Sequence, residues 1–441
     1  MAFHHASTEE THELAPNVSR RYAWVVFALT FGLLISDYMS RQVLNAVFPM
    51  LKAEWGLSDS QLGGLSGVVA LMVGLLTFPL SLMADRWGRV RSLALMAALW
   101  SLATLACGIS QNFNQMFLAR FFVGVGEAAY GSVGIAVVLS VFPSHMRASL
   151  IGAFMAGGML GSVLGMASGG ILATHFGWRG SFVGIAVFGL LLSIIYPLVV
   201  KQKRIDAKSV SGMEEQSAPA ASTSQRPTLA SLYSTRSVIA IYFGSGLQLF
   251  VTSALIAWMP SFLNRYYSMS PDRAGVMAAG FVLSIGIGMV ICGMLCDRLC
   301  RHAPERKMAL AIAFCLSCCV LLSIAFNLPN GNAQLLLIVI GMFFAAGTGG
   351  PAGAMVANLT HAAIHGTAFA TLTLANSLLG LAPGPFVTGV LADMLELDNA
   401  LKLVPLFSIA STLAFLYAKR HYVNDIAKVR VMRPTNLPAA A

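Results

Sequence analysis

The chain has 441 residues, of which 57% are apolar and only 10% charged, with a formal net charge of +10. Soluble domains carry about 25% charged residues, so this composition describes an integral membrane protein. The positive balance does not point to nucleic acid, because the lysines and arginines sit in short clusters between apolar runs, where positive-inside topology accounts for them.

Residues 1–20 are polar and partly acidic (Glu9, Glu10, Glu13) and read as a cytoplasmic tail. They lack the charged start and small-residue cleavage site of a signal peptide. Runs of about 18 or more residues with few or no charges mark membrane spans. Twelve are predicted, at 22–50, 59–84, 92–111, 113–142, 149–174, 180–200, 237–263, 273–296, 307–328, 332–359, 365–392 and 399–418. The polar stretch 201–235 then separates an N-terminal six-helix half (21–200) from a C-terminal one (236–420), and 421–441 forms a second tail. With both termini cytoplasmic, 21 of the 28 lysines and arginines fall on the cytoplasmic side, five fall outside and two lie within spans. That bias sets the expected orientation.

Span one carries Asp37, Tyr38 and Arg41, the acid and the arginine standing at i, i+4 in the order that favours a pair. Span four carries Arg120 and Glu127 in a stretch otherwise made of Phe, Val, Gly and Ala. Seven residues make two helical turns, so these two share one face about 10 Å apart along the axis. Intramembrane charges are costly and normally face a protein interior or a wet cavity. Counted from the outer ends, Arg41 and Arg120 fall at similar depth and Asp37 and Glu127 deeper. Two arginines are therefore expected above two carboxylates if both faces point into one cavity. Span five repeats Gly157, Gly161, Gly165 and Gly169, a small-residue stripe for close helix packing.

The second half offers weaker groups: Gln248 and Trp258 on span seven, Thr348 on span ten and Asn376 on span eleven. Gly347-Thr348-Gly349-Gly350-Pro351 is expected to soften span ten, and Pro383-Gly384-Pro385 to kink span eleven. No phosphate loop is implied, since no Gly-Lys-Ser/Thr follows. Seven cysteines lie in or beside apolar runs without secreted-type spacing, so no disulfide framework is expected. The Cys292, Cys296, Cys300 stripe has no His or carboxylate at ligand spacing, so no metal site is expected either.

The loop after span two reads Asp85-Arg86-Trp87-Gly88-Arg89, and the loop after span eight reads Asp297-Arg298-Leu299-Cys300-Arg301. The repeat at an offset of 212 marks two parallel halves with a substrate site between them near the midplane. A twelve-span chain with Asp-Arg-x-Gly-Arg after span two resembles the major facilitator superfamily, whose pattern Asp85, Arg86, Gly88 and Arg89 match, with Ser81 where that pattern has Gly. The resemblance implies an all-α fold of two pseudo-symmetric six-helix bundles. It also implies a gating role for Asp85, Arg86, Gly88 and Arg89 and, more loosely, for Asp297, Arg298 and Arg301. Within that superfamily, Arg120 with Gly124-Val125-Gly126-Glu127-Ala128-x-Tyr130 is similar to the fourth span of the Spinster-like branch. Asp37-Tyr38-Met39-Ser40-Arg41 resembles that branch's first-span Asn-Tyr-x-Asp-Arg, with the acid moved from position 40 to 37. The organic anion:cation symporters share some of these features.

These residues lead us to expect a secondary active transporter driven by the proton gradient, with no other cofactor. Glu127 is the expected main proton carrier and Asp37 a coupled one. Arg41, Arg120, Tyr38, Tyr130, Gln248, Trp258 and Asn376 are the candidate substrate contacts, with organisation of neighbouring backbone as the other reading of Arg120. A cavity charged on one side and weakly polar on the other suits a small amphipathic organic anion. A lysolipid-like substrate, implied by the Spinster resemblance, is the alternative, and a non-transporting membrane sensor a further one. No nucleophile–base pair or metal cluster suggests an enzyme. The expected setting is a bacterial inner membrane and the expected form a monomer.

Overall fold

The computed structural model describes residues 19–143, 146–202, 235–300, 306–360 and 365–431, and all regular structure within them is helical. Most of the 201–235 connection, both tail ends and Arg301 lie outside the described residues. Eleven helical stretches are long and apolar enough to cross a bilayer. One of them, Ser149–Val199, has 51 residues, far more than the roughly 20 that cross a bilayer. It contains Gly177 at φ 73° and ψ 166°, a backbone state that essentially only glycine adopts, and two helices meet there. Divided at that glycine, the chain makes the twelve expected crossings.

Local sequence explains where the helices begin and end. Span one (Arg20–Trp55) starts on the Ser19 hydroxyl and stops at Gly56, which takes the left-handed conformation at φ 63°. Two residues later Ser58 and Gln61 form a reciprocal capping box that starts span two (Asp59–Trp87).

Four of the described spans are interrupted, span twelve near its start by the 3-10 turn Val404–Leu406. Span ten divides into Asn332–Ala345 and Gly349–Leu359, at the glycine-rich stretch expected to soften it. Span eleven runs His365–Asn376, passes through a π-helical turn at Ser377–Leu381 and resumes at Pro383–Leu395. Span four divides immediately after Glu127, into Phe113–Glu127 and Tyr130–Val141. A break inside a bilayer frees carbonyls that need donors. Thr77 Oγ1 of span two lies 2.7 Å from Ala128 O and 2.5 Å from its own Val73 carbonyl, with one proton between the two acceptors. Across the molecule, Gln248 Nε2 and Thr252 Oγ1 of span seven donate to Ala345 O at 3.2 and 3.1 Å.

The core shows how the two halves meet. At the end bearing the termini, each half has its own apolar cluster. One joins Val26, Leu93, Val137 and Tyr196; the other joins Ile241, Met308, Met355 and Phe415. At the opposite end a single cluster runs through both halves, from Phe48 and Leu65 to Trp258, Phe262 and Leu401. Backbones approach closely there. A Cβ at Gly63 or Gly67 of span two would collide with the carbonyl of Pro385 or Ala382 of span eleven, and Gly170 of span five lies against Pro271 and Gly275 of span eight. The halves are sealed together at the end away from the termini and diverge toward the terminus-bearing end.

The glycine stripe on span five packs as expected. A Cβ at Gly165 would lie 2.6 Å from Met39 Cα of span one, and Gly161 meets Ile35 and Tyr38 of the same helix.

Candidate functional site

Two glycines bring span four into the bundle on either side of its charges. A Cβ at Gly124 would lie 2.7 Å from Met72 Cβ of span two, and one at Gly126 would lie 2.7 Å from Trp100 N of span three. This close fit buries Arg120 and Glu127, at 1% and 2% exposure, and turns them toward span one.

Span one meets them with Asp37, Ser40 and Arg41. Arg41 Nε lies 2.8 Å from Glu127 Oε2, while its N–H is directed to Asp37 Oδ1 at 3.3 Å and Nη2 donates to the same oxygen at 3.2 Å. One guanidinium therefore bridges two carboxylates that are almost wholly buried. The Arg41 side chain itself remains 21% exposed. Its Nη1 amine makes no hydrogen bond among the described residues, and its guanidinium carbon lies 5.0 Å from the centre of the Tyr38 ring. Ser40 completes the cluster, with Oγ 2.5 Å from Glu127 Oε1 and 2.7 Å from the Asp37 carbonyl.

Arg120 does not take the place expected beside Arg41. All its bonds go to backbone: Nε to Leu65 O at 3.2 Å, Nη1 to Ser40 O at 2.8 Å and Nη2 to Arg41 O at 3.4 Å. The expected layer of two arginines above two carboxylates is thus a cluster of one arginine and two carboxylates. The second arginine pins span four to spans one and two. An arginine five-donor fork suits this task, since it can reach carbonyls of two helices at once.

The other candidate contacts divide by exposure. Tyr130 is buried, donates to Thr30 O at 2.6 Å and packs edge-on against Trp100. Gln248 and Trp258 are fully buried, and Trp258 Nε1 donates to Pro385 O at 3.0 Å. In this conformation these three side chains join helix to helix. Tyr38 and Asn376 are only partly buried. Asn376 stands at the entrance to the π-helical turn, with no hydrogen-bond partner for Oδ1 among the described residues. Arg41, Tyr38 and Asn376 are therefore the candidates that keep surface free for a solute.

The loop residues at the terminus-bearing end stay within their own halves. Arg89 Nε contacts Asp85 Oδ1 at 3.1 Å, Gly88 ends span two at φ 94°, and Asp297 stands 3.8 Å from Lys307. Arg86 and Arg298 are exposed. No hydrogen bond or ion pair between halves is made by Asp85, Arg86, Arg89, Asp297 or Arg298 among the described residues, as expected where the halves diverge.

A charged cluster that the sequence did not single out lies at the sealed end. Asp59 opens span two and accepts from Arg265 Nη1 and Nη2 at 2.8 and 2.6 Å and from Lys52 Nζ at 2.7 Å. Asp393 of span eleven accepts from the backbone N–H groups of Asp59 and Ser60 at 2.7 and 2.9 Å, capping span two from the other half. Lys52 and Arg265 are two of the five basic residues that the sequence places outside. Only the packing of spans one, two and seven reveals that they share a partner.

The free cysteines are all buried, and no grouping of three or more His, Cys, Asp or Glu side chains able to hold a metal occurs among the described residues.

Comparison with known proteins agrees with this architecture. Residues 30–385 match the Major Facilitator Superfamily. The chain is 26% identical over 426 residues to a probable L-galactonate transporter of Escherichia coli, covering 93% of this chain and 92% of that one. It is 25% identical over 423 residues to protein spinster homolog 1 of Xenopus tropicalis, covering 90% and 80%. Its fold superposes on a bacterial homolog of the human lysosomal transporter Spinster, in an inward-facing and occupied conformation, with a TM-score of 0.80 at 20% identity over 92% of this chain and 99% of that one. A twelve-helix fold and a family match over most of the chain lead to one conclusion: the protein is a multi-pass membrane transporter of the Major Facilitator Superfamily.

Proposed function

We propose that this transporter moves a small amphipathic organic anion by alternating access, coupled to protons through Glu127 and Asp37. The observation that carries the reading is the Arg41 bridge, one guanidinium shared by two buried carboxylates, with no hydrogen bond to its Nη1 among the described residues. With both acids ionised, Arg41 is neutralised on its Nε and Nη2 side. When Glu127 takes a proton, that neutralisation weakens, and the guanidinium is freer to grip an anionic group, for which its planar fork is suited. Proton and anion then bind together, and loss of either favours release of the other. Tyr38 would flank the bound head group, and Asn376 would offer a polar contact from the second half.

The similarity to a probable L-galactonate transporter supports an organic-anion substrate. The positive-inside bias supports cytoplasmic termini in a bacterial inner membrane, in which case the described conformation is open to the cytoplasm. A single chain holds the whole cluster, so a monomer suffices. In this scheme Asp85, Arg86, Gly88, Arg89, Asp297 and Arg298, with Arg301, close the cytoplasmic end in the alternate state. The Asp59 cluster holds the outer end in the present one.

Proteoliposomes with an internal pH-sensitive dye test the proposal. Galactonate and a panel of aromatic and aliphatic carboxylates are added outside, and proton co-movement is read for the native chain, Glu127→Gln and Arg41→Gln. Glu127→Gln should abolish pH-driven uptake while preserving exchange of labelled for unlabelled substrate, and Arg41→Gln should abolish both. Unchanged pH-driven uptake by Glu127→Gln would overturn the coupling role. Uptake of a lysolipid with no response to any carboxylate would overturn the anion reading.

A further inference from the structure

Ser40 occupies the position where the similar first-span pattern places an acid, and its geometry gives it a task of its own. Its Oγ lies 2.7 Å from the Asp37 carbonyl, the back-bond that serines commonly make within a helix. It also lies 2.5 Å from Glu127 Oε1. A hydroxyl has one proton to give and two lone pairs to receive with, so it cannot donate to both acceptors at once. Span four also grips this residue through its backbone, because Arg120 Nη1 donates to the Ser40 carbonyl at 2.8 Å. Arg120 and Glu127 thus hold the same residue of span one from two sides, and its hydroxyl stays fixed relative to the carboxylate.

Building on the reading of Glu127 as the proton carrier, we infer that Ser40 is a positioning residue that switches between donor and acceptor as Glu127 changes charge. With Glu127 ionised, the Ser40 O–H donates to Oε1. When Glu127 takes its proton on Oε1, that new O–H donates to Ser40 Oγ, and the Ser40 O–H rotates to the Asp37 carbonyl. No proton leaves Ser40, since only its O–H orientation changes, and the arriving proton stays on Glu127. Oε1 is the receiving atom because Oε2 faces the Arg41 guanidinium at 2.8 Å. Both states of the buried carboxyl keep a partner. Desolvation of an unbonded polar group is the main obstacle to changing charge there.

The groups acting on Glu127 are Asp37, Tyr38 and Arg41 of span one, Arg120 of its own span and Cys107 of span three. All are retained in a Ser40 substitution. Removing the hydroxyl takes a donor from the ionised form and an acceptor from the protonated one. The bond to the charged form is the stronger, so the midpoint of Glu127 titration moves to higher pH by the difference, about one pH unit.

The test is infrared difference titration of the purified full-length protein without substrate. The protonated carboxyl band of Glu127 is assigned by its loss in Glu127→Gln. Ser40→Ala should move the midpoint of that band upward by about one unit, and Ser40→Thr, which keeps the hydroxyl, should restore the native midpoint. Ser40→Cys, close to serine in size but a weak donor, should fall between them and serves if the alanine variant is not monodisperse. An assigned Glu127 band with the same midpoint in all Ser40 variants would overturn the switch and leave the proton-carrier reading intact. If Glu127→Gln removes no titrating band, the proton-carrier reading falls, and the switch with it.

Discussion

Replacing Asp59 with alanine should unseal the outer end. Its carboxylate receives three charge-assisted contacts, two from Arg265 and one from Lys52, and its side chain is 3% exposed. Fully protected, three hydrogen bonds to a charged group would total roughly 4.5–9 kcal/mol. Arg265 and Lys52 are 23% and 38% exposed, so water already supports both cations and replaces part of what is lost. Exposed pairs contribute only about 0.2–1 kcal/mol each. Lys52 and Asp59 lie in the same half, so their contact persists when the outer end opens, whereas the two Arg265 contacts cross between the halves and belong only to the sealed conformation. Placing those two between these limits, and nearer the lower, gives about 2 kcal/mol for the sealed conformation. A 2 kcal/mol bias is about a thirty-fold change in the ratio of conformations. Spin labels at Trp87 and Leu299, both exposed at the terminus-bearing end, report it by pulsed dipolar spectroscopy. The native chain should give mainly the long separation, and Asp59→Ala should add a shorter component as that end closes. A folded Asp59→Ala protein with an unchanged distance distribution would refute the reasoning.

Arg120→Leu should lower thermal stability, by about 2–4 kcal/mol, because it withdraws donors from carbonyls of spans one and two in a buried site. Thermal melting in detergent checks this, and a normal melting curve with selective loss of anion binding would instead make Arg120 a substrate contact. Gly165→Leu should destabilise by about 1–3 kcal/mol or prevent folding, because even a Cβ there would lie 2.6 Å from Met39 Cα. Size-exclusion profiles of the purified variant check it, and a native-like profile would show that spans one and five separate easily.

The parts of the site legible in the sequence are those set by charge within an apolar run. Asp37, Arg41, Arg120 and Glu127 stand out because a bilayer makes each of them costly, and the i, i+4 spacing correctly pairs Asp37 with Arg41. Their directions were not legible. Arg120 and Glu127 share a face of span four, yet one grips carbonyls and the other meets a guanidinium, because span one presents backbone at one level and side chains at the next. The break after Glu127 was equally hidden, since Ala128-Ala129 carries no glycine or proline. The Thr77 hydroxyl of another span reaches the Ala128 carbonyl at this break, sharing its one proton with the Val73 carbonyl of its own helix. Span ten, with Gly347 through Pro351, announced its own break.

By itself, then, the sequence determined the twelve spans, the repeat of the two halves and the confinement of intramembrane charge to the first half. Each of these follows from local hydropathy or spacing. Tertiary structure alone decided which arginine bridges the acids, that Ser40 joins Glu127, and that Asp59, Arg265 and Lys52 form one cluster across the halves. Asp59 and Arg265 are 206 residues apart in the chain, and no periodicity encodes a contact that exists only after two separately formed bundles pack against each other.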